Sequence, residues 1–266
     1  MYPGRFSKEP NLIRIIGTFH DRVIGRRVLK MANWVIALTE AEAEHYRKGA
    51  VKNVSTIYEG VSLNGFPQET QVLRFRQKYG LTGDDKIILT VGRVGRQKGT
   101  DFAIKAFSGV FRRFSEAKLV IVGADRGPFA SARRDCTKLA QRLACEKNVL
   151  FIGEVSDEDL ACAYELADVV IIPSIFEAYG RVVVEAWAHK KPVIATKSVA
   201  LSELISSRTG TLVDYGDADA LTEAITKTLC DKELARLMGF NGYLLIRDLT
   251  WEKRVDKIEE IFARLT

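Results

Sequence analysis

Long apolar runs are missing from this sequence. No stretch approaches the ~20 residues that a bilayer-spanning helix needs, and the opening MYPGRFSKEP lacks the apolar core of a secretory leader. Cysteine is scarce. The four residues Cys136, Cys145, Cys162 and Cys230 show no C-x-x-C spacing, so neither a zinc site nor a disulfide framework is suggested. Reduced thiols in a cytoplasmic protein are the reading that follows. Two nucleotide-binding fingerprints are also missing. A phosphate-binding Walker loop needs Gly-Lys followed by Ser or Thr, whereas here Lys98 precedes Gly99, and no dinucleotide G-x-G-x-x-G follows a strand. A phosphate-loop NTPase and an NAD-dependent enzyme are thereby set aside.

The chain does carry an excess of positive charge, +6 at neutral pH. Basic residues gather at Arg22, Arg26, Arg27 and Lys30, at Arg112 and Arg113, and at Arg133, Arg134, Lys138 and Arg142. Aromatic residues do not interleave with them and no nucleic-acid module is recognisable, so nucleic acid is not expected as a partner. Peripheral contact with an anionic lipid face stays open beside a plain solvated basic surface.

At 266 residues the chain can form one large or two modest domains. Residues 11–20 read as a buried strand, 21–33 as a helix and Trp34–Leu38 as a second strand. A helix capped by Thr39 follows, with Glu42 three residues on. VSTIYEGVSLNGFP then runs a short strand into a Gly- and Pro-containing connection. A boundary placed there gives a partial first domain over 1–65, a second over 66–240 and a closing amphipathic helix over 241–266.

From about 68 onward strands and helices alternate. Apolar, β-rich runs occur at Ile87–Val91, Leu119–Val122, Val149–Ile152, Val169–Ile172, Val193–Ala195 and Thr211–Val213. Helical stripes lie between them: Ile104, Phe107, Phe111 and Phe114; Ala132, Cys136, Leu139 and Leu143; and Leu160, Ala163, Tyr164 and Ala167 behind a Ser156 cap. Cys136 therefore reads as core. The alternation predicts an α/β protein with a doubly wound, parallel, Rossmann-like sheet. In such sheets ligands bind at the carboxyl ends of the strands, where the Gly- and charge-rich loops 92–99, 123–127, 153–156 and 173–180 fall together.

Two of those loops carry the chemistry. In IIPSIFEAYGRVVVEAWAHKKPVIA, Glu177 sits in a loop after a strand, and Glu185 lies about a turn and a half into the helix that Gly180 opens. Free N–H groups at that helix start, from Tyr179 to Val182 through Gly180 and Arg181, attract anions such as phosphate. A nearby carboxylate can accept vicinal hydroxyls, as on a ribose. In VGRVGRQKGTD, Arg93 and Lys98 stand on a glycine-flexible loop begun by Gly92 and ending where a helix opens near Thr100, a combination suited to a diphosphate. Together they suggest a sugar-nucleotide site. Asp217-Ala-Asp219 could be mistaken for a metal motif, but it opens the helix GDADALTEAI, where Asp is an ordinary cap. No metal ligand set is assigned. His45 and His189 read as surface residues.

These motifs bear a family resemblance. PSIFEAYGRVVVEA followed by PVIA resembles the E-x7-E signature of retaining glycosyltransferases of family 4, whose fold is the two-domain GT-B type. The GR…KG loop matches too, and TFHD, ANWVIALT and YEGV resemble segments that end the family's N-terminal domain. The resemblance covers nearly the whole chain. It implies a nucleoside-diphosphate sugar as donor substrate, no further cofactor and no metal. Arg93 and Lys98 would grip the diphosphate, Glu185 the ribose and Glu177 the donor sugar. Glu154 and Val155 would neighbour the base, and His20, matching the family's TFH, would face the sugar. The acceptor class stays open among a saccharide, a lipid and a small molecule.

Departures from the family pattern accompany the match. Lys190 stands where a glycine usually precedes x-P-V, Val199 and Ala200 replace the glycines of GG-x-x-E, and Glu59 replaces the Asn of PNGV. Only about 60 residues of an N-terminal domain precede the second domain. That domain is therefore expected to be incomplete, so the chain is either a truncated enzyme or a subunit that binds the sugar nucleotide and needs a partner chain to complete it.

Overall fold

The computed structural model describes residues 24–49, 51–125 and 132–265. They divide into two compact units, one within Met1–Gly60 and Trp251–Thr266, the other Val61–Thr250.

In the smaller unit, helix α1 (Arg26–Met31) precedes strand β1 (Val35–Ala37), helix α2 (Glu40–Lys48) and strand β2 (Val54–Thr56). The expected strand over 11–20 lies outside the described residues. The two strands pair in parallel with Val35 opposite Val54. Thr39 caps α2 as its sequence predicts: its side chain accepts from the Glu42 N–H at 3.1 Å, while the Glu42 carboxylate accepts from the Leu38 N–H at 2.9 Å.

The larger unit begins with α3 (Glu69–Tyr79) and continues through β3 (Lys86–Val91), α4 (Thr100–Phe111), β4 (Ala117–Val122), α5 (Ala132–Arg142), β5 (Val149–Gly153), α6 (Asp157–Leu166) and β6 (Val169–Ile172). After these come α7 (Arg181–Ala188), β7 (Val193–Thr196), α8 (Val199–Leu204), β8 (Gly210–Val213), α9 (Ala218–Cys230) and α10 (Lys232–Ile246). Strands β3 to β8 form one parallel sheet in the order β5-β4-β3-β6-β7-β8. This is the doubly wound α/β sheet predicted. Its central strands are continuous apolar runs because both faces are covered: every residue of β6 is buried. Ile88, Leu119, Ile121, Val169, Ile171 and Ile194 share one hydrophobic cluster with α4, α5 and α9, and Cys136 lies within it. Alternation along the strands leaves Val170, Ile172 and Val193 for the opposite face, where α6 and α7 pack with α3 and α10.

The strand order reverses direction between β3 and β6. The chain moves outward from β3 through β4 to β5, then returns to the other side of β3 for β6, β7 and β8. The loops leaving the adjacent strands β3 and β6 therefore meet at the carboxyl edge, where the strand order reverses. That is where open α/β sheets bind ligands.

One packing relationship surrounds the departure at Lys190. Gly239 and Gly242 lie one turn apart on α10. A Cβ at Gly239 would stand 1.9 Å from the Lys190 carbonyl, and one at Gly242 would stand 2.2 Å from the Trp187 ring, so α10 approaches the end of α7 to backbone distance. Lys190 itself adopts φ 54°, the left-handed region that its usual glycine would take, with its ammonium over the Tyr243 ring. It follows the end of α7 and precedes β7, at the edge of the sheet opposite the carboxyl ends of the strands. Val199 and Ala200 stand in the first turn of α8 behind a Ser198 cap.

The single closing helix expected over 241–266 is two helices. Helix α10 ends at Ile246 and α11 (Trp251–Ala263) starts afresh. The interruption is long-range: the Val61 N–H donates to the Leu249 carbonyl at 2.8 Å, and Val61 bridges Thr250. The unit boundaries accordingly fall at Gly60/Val61 and Thr250/Trp251, where the sequence placed them at 65/66 and 240/241. Among the described residues no helix is long and apolar enough to cross a membrane.

Candidate functional site

The loop leaving β3 is a closed turn. Gly95 adopts extended backbone and Gly99 the left-handed conformation (φ 65°), and between them the Lys98 and Thr100 N–H groups donate to the Gly95 carbonyl. The Thr100 hydroxyl accepts from the Gly95 N–H at 3.1 Å. Thr100 also opens α4, so the turn is tied to a buried helix start. The Gly92 N–H donates to the Val122 carbonyl, and the Val94 N–H to Ala124. Gly92 thus continues the β3–β4 ladder instead of offering its N–H to a ligand. A Cβ at Gly123 would lie 2.1 Å from the Gly92 carbonyl, so these neighbouring loops touch through their backbones.

The loop leaving β6 is stitched to the first. The Ile175 N–H donates to the Gln97 carbonyl at 3.0 Å, and a Cβ at Gly99 would meet the Pro173 carbonyl oxygen at 1.8 Å. Only glycine permits that approach. The buried Thr196 hydroxyl donates to the carbonyls of Ile172 and Ser174, fixing the exit of β6 from the β7 side.

On this frame Lys98 meets Glu177. The ammonium donates to Oε1 at 2.6 Å, and the Ser174 hydroxyl donates to the same oxygen at 2.6 Å. The Glu177 side chain is 13% exposed and that of Lys98 26%, so the pair is partly withdrawn from water. Arg93 is exposed on the same loop as Lys98, with no hydrogen bond or ion pair to another described residue.

Glu185 sits in α7, as predicted, after Gly180 (φ 102°) opens the helix. Its Oε2 accepts from the Tyr164 hydroxyl at 2.6 Å and its Oε1 from Arg181 Nε at 2.9 Å. Burial pushes the Tyr164 hydroxyl well above its ordinary pKa, and the Glu185 charge adds to the shift, so the phenol stays a proton donor. The N–H groups of Arg181 and Val182 begin the helix, where no preceding turn supplies an acceptor. Tyr179 is buried beside them.

Glu154 and Val155 follow Gly153 at the carboxyl end of β5, an outer strand two places from β3. Glu154 is exposed and Val155 half-buried. His20 lies outside the described residues. Asp217 caps α9, its carboxylate accepting from the Ala220 N–H at 2.9 Å. His189, read as a surface residue, is instead packed between Tyr164 (rings 5.4 Å apart, near-parallel) and Phe66 (5.1 Å, edge-on).

The sequence reading missed Ser174 and Tyr164. Ser174 stood inside the quoted motif without a role. Tyr164 was assigned to an apolar stripe, although a buried tyrosine must place its hydroxyl on some acceptor. The structure thus brings together two groups, Lys98 with Glu177 and Ser174 between the loops, and Glu185, on the helix that follows, with Tyr164 and Arg181.

Comparison with known proteins gives these features a family. An uncharacterized glycosyltransferase of Methanocaldococcus jannaschii is 31% identical over 200 residues, covering 72% of this chain and 47% of the relative. The GDP-mannose-dependent alpha-(1-6)-phosphatidylinositol monomannoside mannosyltransferase of Mycolicibacterium smegmatis is 26% identical across 98% of this chain and 72% of its own length. Among solved structures, sucrose-phosphate synthase from Thermosynechococcus elongatus matches with a TM-score of 0.82 at 29% identity, covering 99% of this chain and 64% of that one. The chain therefore spans about half of the first of these relatives and under two thirds of the synthase. The family model for glycosyl transferases group 1 matches residues 72–245, the sheet and both site loops included, and the chain belongs to that family.

Proposed function

We propose that this chain is the donor-binding part of a retaining, metal-independent glycosyltransferase that uses a nucleoside-diphosphate sugar. The observation that carries the reading is the Lys98–Glu177 contact of 2.6 Å at the reversal of strand order. A cation for the diphosphate and a carboxylate for the adjoining sugar stand side by side, in the order in which those groups follow one another in a sugar nucleotide. Cleavage of the sugar–phosphate bond leaves negative charge on the phosphate oxygen. Lys98 and Arg93 stabilise it without a divalent ion, and removal of one such preorganised group costs about 10²–10³ in rate. Glu185, braced by Tyr164, takes the ribose hydroxyls, and the N–H groups opening α7 lie toward the phosphates. The acceptor is a saccharide, a lipid or a small molecule. The reaction takes place in the cytoplasm, with the basic surface available for peripheral lipid contact.

A second reading is that this chain binds the sugar nucleotide without turning it over on its own. One experiment separates the two. The purified chain is incubated with a panel of sugar nucleotides and released nucleoside diphosphate is followed. Release that disappears in Glu177→Ala and Lys98→Ala supports the enzyme, binding without turnover supports the second reading, and absence of both binding and release sinks the proposal.

A further inference from the structure

We propose that Tyr164 is a positioning residue that sets the preference of this site for a ribose, an inference that rests on the assignment of Glu185 to the ribose. Tyr164 lies in α6, 21 residues before Glu185, and belongs to neither site loop. It is 2% exposed, and its hydroxyl donates to Glu185 Oε2 at 2.6 Å. The ring is braced from behind. His189 stacks on it at 5.4 Å, held in turn by Glu165 at 3.3 Å and by the edge of Phe66. The phenol is thus a fixed donor on a packed helix.

The other oxygen of Glu185 is differently placed. Oε1 meets Arg181, whose side chain is 70% exposed and lightly constrained. One carboxylate oxygen is therefore anchored to the core, while the other faces the solvent side with a displaceable partner. An anchored carboxylate presents its free lone pairs in one direction, so a pair of vicinal hydroxyls meets an acceptor already oriented. Without the anchor, Glu185 must be ordered by the ligand itself, and its discrimination between a hydroxyl and a hydrogen weakens.

The test uses the full chain, calorimetric titration and three probes. These are whichever of UDP, GDP and ADP binds tightest, its 2′-deoxy counterpart, and inorganic pyrophosphate. A well-made hydrogen bond is worth roughly tenfold in affinity, so the unaltered chain should prefer the ribonucleotide by about that factor. In Tyr164→Phe the preference should fall to within about threefold, while pyrophosphate affinity stays unchanged. Equal weakening of all three probes would mark Tyr164 as merely structural, and an undiminished preference would overturn the inference while leaving the site reading intact. An unaltered chain that binds nucleoside diphosphate without preferring ribose overturns the Glu185 assignment and this inference together. Independently of any core substitution, 3-fluorotyrosine placed at 164 should give a fluorine resonance that moves with the ribonucleotide and stays put with pyrophosphate. A resonance indifferent to both would also overturn it.

Discussion

Lys98 Nζ and Glu177 Oε1 lie 2.6 Å apart although 79 positions separate them in the chain. The contact exists because β3 and β6 are adjacent in the sheet and the loops leaving them touch through their backbones. In the absence of a donor each charge partly satisfies the other. A sugar nucleotide that takes Lys98 with its phosphate and Glu177 with its sugar must replace both halves of the pair.

That exchange has a directional consequence. Glu177→Gln removes the competitor for Lys98 but keeps a polar group of similar size. Affinity for a free nucleoside diphosphate should rise several-fold, about 1 kcal/mol, while turnover of the donor falls by 10² or more. Lys98→Met should lose both. Calorimetry with the diphosphate and a release assay with the sugar nucleotide read the two effects separately. Weaker diphosphate binding in Glu177→Gln would show that the pair does not compete with the ligand.

Gly99 has no room for a side chain. Its φ is 65°, and a Cβ would stand 1.8 Å from the Pro173 carbonyl oxygen, a backbone atom that cannot rotate away. Gly99→Ala should force the two site loops apart, with a cost of about 1–3 kcal/mol of strain. For a chain of this size that corresponds to a fall in melting temperature of roughly 2–4 °C per kcal/mol. Diphosphate binding should weaken together with it, since Lys98 is the residue before. Melting scans and titrations check both, and unchanged binding would mean that the loop contact does not shape the site.

These details differ in how far the sequence announces them. Val169–Ile172 reads as a strand because four β-branched apolar residues fit only a strand covered on both faces. Gly180 and Gly99 signal helix starts because glycine relieves the left-handed conformation that both adopt. The Tyr164–Glu185 bond leaves no local trace, since its partners lie on different helices. The division between α10 and α11 is equally hidden. The amphipathic pattern runs on through 247–250, whereas in the fold the Leu249 carbonyl accepts from Val61, far away in sequence. That the Gly92 N–H belongs to the sheet ladder is likewise a matter of register that no residue type encodes.

The cysteines give a prediction with a pH sign. Cys136, Cys145 and Cys162 are buried and Cys230 is exposed. Burial pushes the Cys136 thiol up to about 12 and raises those of Cys145 and Cys162. Because the thiolate is the reacting form, a thiol reagent at pH 8 should modify Cys230 quickly and the other three only after unfolding. The linkage runs the same way. The folded protein favours the neutral thiol, so this stabilisation is fully present below about pH 8.5, the unfolded thiol pKa, and is lost as pH rises toward 12. Rapid modification of more than one thiol in the native chain would contradict the burial.

The contact between α7 and α10 is the last to be tested, because it supports the helix that carries Glu185. Trp187 is fully buried, and its indole N–H donates to the Thr209 carbonyl at 3.1 Å, so the ring is held at both its edge and its face. A Cβ at Gly242 would stand 2.2 Å from that ring. With the indole held by its hydrogen bond, Gly242→Ala should cost about 1–3 kcal/mol by overpacking, which exceeds the gain of about 1 kcal/mol that alanine brings to an unobstructed helix interior. The melting temperature should fall by several degrees, and the indole fluorescence should shift as water reaches the ring. Restoring space with the double change Gly242→Ala and Trp187→Phe should recover part of the loss, because the smaller ring vacates the volume that the methyl enters. If Gly242→Ala alone were as stable as the parent, α10 would have to pack less closely on α7 than these distances require.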